Sequence, residues 1–514
     1  MGRLLAACLS TRLHICIYND DDSYLNIGIE PIETRMAAWK LLRSDSFDLL
    51  SSNGQDEKKD ARMHDVNDGL PVEKRIPAII TVVLAVAMAV MDGSIANLAL
   101  PSIAADMNAS ASQAIWIINS YQIAMAICLL PLASLGEVIG YRRIYMTGLV
   151  LFTTASLVCG ISDSIWQLSL SRVLQGVGAA GILSVNTALI RFIFPSRLLG
   201  RAIGYNALVA GTATALGPTI AGVILHFASW HWLFLINIPL GLVSFAIGLR
   251  SLPYNPLSDR KYDIRSAILC MIFIGFLLYG VDAIGHIEGM FSIVVSAILS
   301  VSALLLLLRY QSRLAPMLPL DLLRIPLFAL SIGTSFCSFA AQTATFVMLP
   351  FFLQNGLGMT AAHSGLLLTA WPISVALTAP LAGRLSDRFS AGLLGGVGLA
   401  ILSLGLLALL LIDHASPDLA IAGLFAVCGF GFGLFQSPNN RTMISAAPRA
   451  RTGAASGMLG TGRLTGQTTG AAVVALVLTV SSTPYSTVLW CAAVLAGMAC
   501  VVSIVRTGVV AVDD

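Results

Sequence analysis

Three charged side chains interrupt apolar runs in this sequence: Asp92 within 76–98, Arg172 within 166–189 and Arg463 within 455–479. A charge inside such a run is expensive and faces a cavity or a partner, so each of the three marks a place where an ion or polar solute can be handled. Asp92 is the acid that matches the two cations. It lies 16 residues beyond Ile76, roughly 24 Å along a helix, and no other carboxylate stands so far from the end of a run. Burial raises a carboxylate's pKa and a nearby cation lowers it, so an acid so placed can take up and release a proton. Arg172 can tune that exchange, relay the proton, or form a purely structural ion pair.

Other chemistries are poorly represented. The nine Cys are scattered singly with no CxxC, and Cys128, Cys159, Cys270, Cys337, Cys428, Cys491 and Cys500 fall in apolar segments, where they read as small core residues. Of the seven His, five (His226, His231, His286, His363 and His414) fall near the ends of apolar runs without clustering. No metal site is expected. There is no GxxxxGK[ST], so no ATP site is expected either, and no cofactor beyond the proton motive force.

Composition says what must hold these residues. Of 514 residues, 56% are hydrophobic and only 11% charged, against about 25% charged in soluble domains. Mean hydropathy is +0.83, and apolar stretches repeat along nearly the whole chain, so most of it must sit in lipid. The net charge of +3 is too balanced to suggest a nucleic-acid surface. Candidate spans run at 76–98, 114–134, 144–161, 166–189, 203–225, 232–249, 266–284, 290–308, 327–351, 364–383, 392–412, 419–438, 455–479 and 485–505, fourteen in all.

The positive-inside rule tests that count. One set of alternate loops holds Lys74-Arg75, Arg142-Arg143, Arg191/Arg197/Arg201, Arg250/Arg260/Lys261/Arg265, Arg309/Arg313/Arg324, Arg384/Arg388, Arg441/Arg449/Arg451 and Arg506. The other set holds no Lys or Arg and carries Asp106, Asp163, Asp282, Glu288, Asp413 and Asp418 instead. One span more or fewer would scramble the alternation. Both termini are therefore expected in the cytoplasm. Residues 1–72 read as a separate, acidic and polar, disordered cytoplasmic tail with neither a signal peptide nor a myristoylation pattern, and internal Met36 and Met63 leave the translated start open.

Two loops echo each other. After the second span comes Ala133-Ser134-Leu135-Gly136-Glu137-Val138-Ile139-Gly140-Tyr141-Arg142-Arg143, and after the tenth Gly383-Arg384-Leu385-Ser386-Asp387-Arg388. Both lead from small-x-Leu-x-acid into cations. Related halves are common in secondary transporters.

From about residue 72 onward the sequence resembles the major facilitator superfamily, whose signature loop reads GxLxDRxGRRR, and within it the fourteen-span drug:proton antiporters. Asp92-Gly93-Ser94-Ile95-Ala96-Asn97-Leu98-Ala99-Leu100-Pro101 is similar to that family's DxTIVNVALP. Arg172 with Gln175-Gly176-Val177-Gly178-Ala179-Ala180 resembles RxxQGxGaa, and Gly204, Ala213, Gly217-Pro218 and Ala221-Gly222 resemble the antiporter motif ending GPxxGG. Residues 230–241, Trp-His-Trp through Asn237, Pro239 and Gly241, resemble WRWxFxINxPxG, with His231 in place of arginine. The first signature loop departs further, with Ala133, Glu137 and Val138 where the family has Gly, Asp and Arg.

The resemblance implies an all-α polytopic fold with two six-helix pseudo-repeat bundles, 73–250 and 326–508, two inserted helices within 251–325, and a short tail at 509–514. It implies a proton-coupled multidrug efflux antiporter of the cytoplasmic membrane, functional as a monomer among lipids. Its cargo would be lipophilic cations such as quaternary ammonium compounds, methyl viologen, dyes and biguanides. Asp92 and Arg172 would couple the proton. Asp92 with Trp116, Tyr121, Tyr205, Phe346, Trp371 and Phe435 would line the substrate cavity, offering π faces to a cation. Glu137, Arg142, Arg143, Asp387 and Arg388 would form the cytoplasmic gate, and Gly204, Gly217, Pro218 and Gly222 a close-packed rocking interface with a bend at Gly217-Pro218. An exporter of one endogenous metabolite or siderophore stands as the alternative. A polytopic membrane enzyme would need His, Asp or Glu gathered at one membrane face, which the sequence does not offer.

Overall fold

The computed structural model describes residues 69–508 apart from 256, 258–260, 287–288, 312–315, 387 and 449–450. The readings of a tail through residue 68, of Asp387 and of 509–514 lie outside the described residues.

Fourteen helices are long and apolar enough to cross a membrane, and no strand occurs among the described residues. They are α1 (Val72–Asp106), α2 (Ala111–Ile139), α3 (Tyr141–Gly160), α4 (Ile165–Ile193), α5 (Ser196–Phe227), α6 (Trp232–Ser251) and α7 (Ile264–Gly285). Then follow α8 (Met290–Tyr310), α9 (Pro326–Gly356), α10 (Ala361–Leu385), α11 (Ala391–Leu411), α12 (Asp418–Ala446), α13 (Thr452–Val480) and α14 (Pro484–Gly508). Only helices satisfy every backbone N–H and C=O within one segment, which is why apolar runs of this length fold this way in lipid.

Local chemistry sets the ends. Ser110 caps α2 in a reciprocal capping box with Gln113, and Ser164, Asp263, Thr360 and Ser390 each accept from a backbone N–H in the first turn of α4, α7, α10 and α11. Pro326 and Pro484 open α9 and α14, where a missing N–H costs nothing. Gly140, at φ +109°, is the single residue between α2 and α3. A side chain there would be strained, so the hairpin depends on glycine.

The loops rich in arginine lie together: Leu70 N–H donates to Ile193 O at 3.1 Å, Tyr141 N–H to Asn255 Oδ1 at 2.8 Å, and Arg506 Nη2 to Ala391 O at 3.1 Å. At the opposite, arginine-poor end, early and late helices are sealed to each other. Gln354 donates to Leu98 O at 3.0 Å, Thr219 meets Thr369, and Thr479 lies 3.4 Å from Ser112. Small residues allow this: a Cβ on Gly365 would stand 2.3 Å from Pro218 O, and one on Gly222 3.0 Å from Ala362 Cα. The α1 helix runs unbroken through Pro101 to Asp106.

Candidate functional site

Asp92 and Arg172 meet in the interior. They form an ion pair, Asp92 being 2% and Arg172 0% exposed. Burying two charges is unfavourable unless the remaining valences are satisfied, and here they are. Gln175 Nε2 and Asn237 Nδ2 donate to Asp92 Oδ1 at 2.9 and 3.0 Å. Arg172 Nη1 also donates to Gln175 Oε1 at 2.6 Å and Nε to Ile117 O at 3.1 Å, while Gln175 donates to Ser156 Oγ at 2.8 Å. The Tyr121 ring lies under the guanidinium, 4.2 Å from centroid to Cζ, with its hydroxyl donating to Ala89 O. Five helices thus contribute: α1, α2, α3, α4 and α6.

Glycines make this convergence possible. A Cβ on Gly176 would stand 2.4 Å from Tyr121 O, on Gly178 2.5 Å from Phe152 N, and on Gly181 2.9 Å from Gly148 Cα. The α4 backbone therefore lies directly on α2 and α3, bringing the Arg172/Gln175 face within reach of Asp92. At Gly217 a Cβ would collide with Ser94 Oγ, so α5 rides on α1 just past the acid. Pro218 lies inside an α5 that continues to Phe227, and Gly204 lies on the same helix.

The aromatics expected around one cavity fall into separate groups. Tyr121 alone touches the ion pair. Trp116 stacks on His286 at 5.1 Å and tilts against Trp166 at 6.5 Å. Phe346 packs edge-on to the fully buried Trp371, and Phe435, also fully buried, packs on Phe432. Tyr205 is 62% exposed. Spans apolar all round give no amphipathic stripe from which a cavity face can be read. The gate residues make no ion pair across the molecule among the described residues: Glu137, Arg143 and Arg388 are exposed, and Arg142 binds Leu249 O and lies 4.3 Å over the Tyr254 ring.

Two buried polar centres were not assigned from sequence. Asp282, counted there as a loop acid, is fully buried at the end of α7, receiving the Asn119 amide of α2 and facing His286 Nδ1 at 3.2 Å. His286 Nε2 in turn reaches Ser112 O at 3.0 Å. Burial lowers the His286 pKa, but the hydrogen bond and charge of Asp282 outweigh it and lift it to about 9. The i, i+4 spacing of Asp282 and His286 was the available signal. The second centre is Arg506, which donates to Ser331 Oγ at 2.8 Å and to Asn439 Oδ1, neutral partners that no charge pattern announces.

Arg463 differs from both other interior arginines. It is half-buried and makes no ion pair among the described residues, its Nε is buried without a hydrogen-bond partner, and its guanidinium carbon lies 5.8 Å from the Phe339 ring centroid.

The profile of the Major Facilitator Superfamily matches residues 82–462 and 330–511. The chain is 50% identical over 414 residues to the uncharacterized transporter YebQ of Escherichia coli, covering 80% of this chain and 91% of that one. It is 29% identical to the riboflavin transporter RibZ of Clostridioides difficile, over 74% of this chain and 84% of that one. With the multidrug resistance protein Stp of Mycobacterium tuberculosis it shares 32% identity, over 76% and 73%. In fold it is similar to the crystal structure of a bacterial homolog of the human lysosomal transporter Spinster in an inward-facing, unoccupied conformation, with a TM-score of 0.60, 14% identity, and coverage of 85% and 98%. Fourteen apolar helices and these matches make the chain a multi-pass membrane transporter that belongs to the Major Facilitator Superfamily.

Proposed function

We propose that the protein is a proton-coupled exporter working by alternating access, with Asp92 as the proton-carrying group. The observation that carries this reading is the buried Asp92–Arg172 pair, held by Gln175 and Asn237 deep inside α1, α4 and α6. Protonation of Asp92 cancels the attraction to Arg172 and releases one set of contacts, so proton occupancy can bias one arrangement of helices over another. Each proton entering down a membrane potential contributes about 2.3 kcal/mol per 100 mV, enough to drive a solute the other way.

The arginine-rich end is proposed to face the cytoplasm, on the positive-inside rule. Contacts that close the arginine-poor end and leave Glu137, Arg143 and Arg388 exposed are those of an inward-facing arrangement. These three residues, with Arg142 and Asp387, are proposed to meet across the mouth when the transporter turns outward. Halves 73–250 and 326–508 would rock on the α5 contact of Gly222 with Ala361 and Ala362 of α10, while Gly217 packs on α1 within the first half. A monomer in lipid suffices for this cycle.

Export of several lipophilic cations is the cargo supported by the antiporter motifs and by the relative named a multidrug resistance protein. A dedicated exporter of an organic metabolite is the second reading. It is favoured by the unpaired charge of Arg463 and by the relative named a riboflavin transporter.

Reconstituted liposomes test the coupling. An imposed pH gradient should drive transport of methyl viologen, ethidium or an aromatic anion by the wild type, and Asp92→Asn should reduce it to background. Gradient-driven transport that survives in Asp92→Asn would remove Asp92 from the coupling role.

A further inference from the structure

We propose that Arg463 recognises the negatively charged group of the transported solute, so that the cargo is an amphipathic aromatic anion carrying one carboxylate, sulfonate or comparable acceptor group. This rests on the second reading above, the dedicated exporter of an organic metabolite, and names the class of its substrate. Charge bookkeeping decides it. Asp92 is matched by Arg172, and Asp282 faces His286. Arg463 has no such counterpart: it is half-buried, no ion pair to it is found among the described residues, and of the five N–H donors of a guanidinium its Nε–H is buried without a partner.

An orphaned donor of this kind costs free energy that a ligand's acceptor can recover, which makes it a preformed half of a recognition site. The planar fork matches a two-oxygen anion, in the geometry that gives the strongest charge-assisted hydrogen bonds. The wall behind it is aromatic and packed. Phe339 lies beside the guanidinium and is itself packed edge-on against Phe432 at 5.3 Å.

Local packing fixes where this cation points. On α13, one turn before Arg463, a Cβ on Gly460 would stand 2.9 Å from Leu129 of α2; one turn after it, a Cβ on Gly466 would stand 2.5 Å from Phe336 O of α9. Arg463 is thereby wedged between an early and a late helix. Tyr121 lies on that same early helix and touches Arg172, so α2 carries contacts to both arginine-bearing helices. A cationic solute would meet an uncompensated positive charge at this position.

The test uses the full chain in liposomes with dansylate, a fluorescent aromatic sulfonate that stays charged and does not cross lipid as a neutral acid, and ethidium as the cation. Wild type should move dansylate. Arg463→Gln should raise its KM by roughly tenfold or more, the expected loss for one charge-assisted contact, with a smaller change in maximal rate. Arg463→Lys, which keeps the charge but not the fork, should recover part of the loss and controls for misfolding. Unchanged dansylate KM in Arg463→Gln, or wild-type transport of ethidium without dansylate, overturns the proposal. Gradient-driven dansylate transport separates the two readings: transport that needs Arg463 but survives Asp92→Asn keeps this inference and discards the coupling role.

Discussion

Two interior arginines are satisfied in opposite ways. Arg172, in the first six helices, is paired with a carboxylate and surrounded by amides, so its charge is cancelled on the spot. Arg506, in the last six, is held by a hydroxyl, an amide oxygen and a backbone carbonyl, with no acid near it. Among the described residues the only acid in α9–α14 is Asp418, at the exposed first position of α12. The Asp92–Arg172 centre therefore contains a group that can change its charge by binding a proton, and the Arg506 centre does not. On the proposed coupling, proton chemistry belongs to the first six helices and this fixed positive charge to the last six.

Substitution should separate them. Arg172→Leu leaves a buried carboxylate without its cation and should cost about 3–5 kcal/mol, seen as poor yield and a large fall in Tm in detergent. The double variant Asp92→Leu/Arg172→Leu should recover much of that stability while losing coupled transport, because no buried charge is left unpaired. Arg506→Leu strands only neutral acceptors, so its cost should be smaller, about 1–3 kcal/mol. Equal falls in Tm for Arg172→Leu and Arg506→Leu would break the comparison.

A finer test concerns His286, whose imidazole joins α7 to α2 through Asp282 and Ser112. Its folded pKa is raised to about 9 from an ordinary 6.5. The stabilisation is therefore complete below about pH 6.5 and lost as pH rises through about 9. A modest drop in Tm across that window should appear in the wild type and be absent in His286→Gln. A drop of the same size in both would place the titrating group elsewhere.

Much of this was legible in the sequence because lipid punishes exceptions. Fourteen spans follow from apolar length and from arginine confined to alternate loops. Asp92 and Arg172 announced themselves as charges in runs where charges are rare. The rest lacked such a penalty. Asn237 is an amide at the start of a span and carries no period, so its bond to Asp92 needed the fold. Trp371 and Phe435 looked like cavity residues because a helix apolar on every side hides which face is turned inward, and both are packed in the interior. That Arg463 is unpaired could not be read at all, since a missing partner leaves no mark on a sequence.

The glycine contacts between α3 and α4 have a mechanical consequence. Where Gly178 lies on Phe152 N and Gly181 on Gly148, backbone touches backbone with no rotamers between them to absorb a displacement. The two helices form one stiff lever, and Arg172 and Gln175 are mounted on it. A small shift at the Asp92–Arg172 pair is then transmitted along both helices without slack.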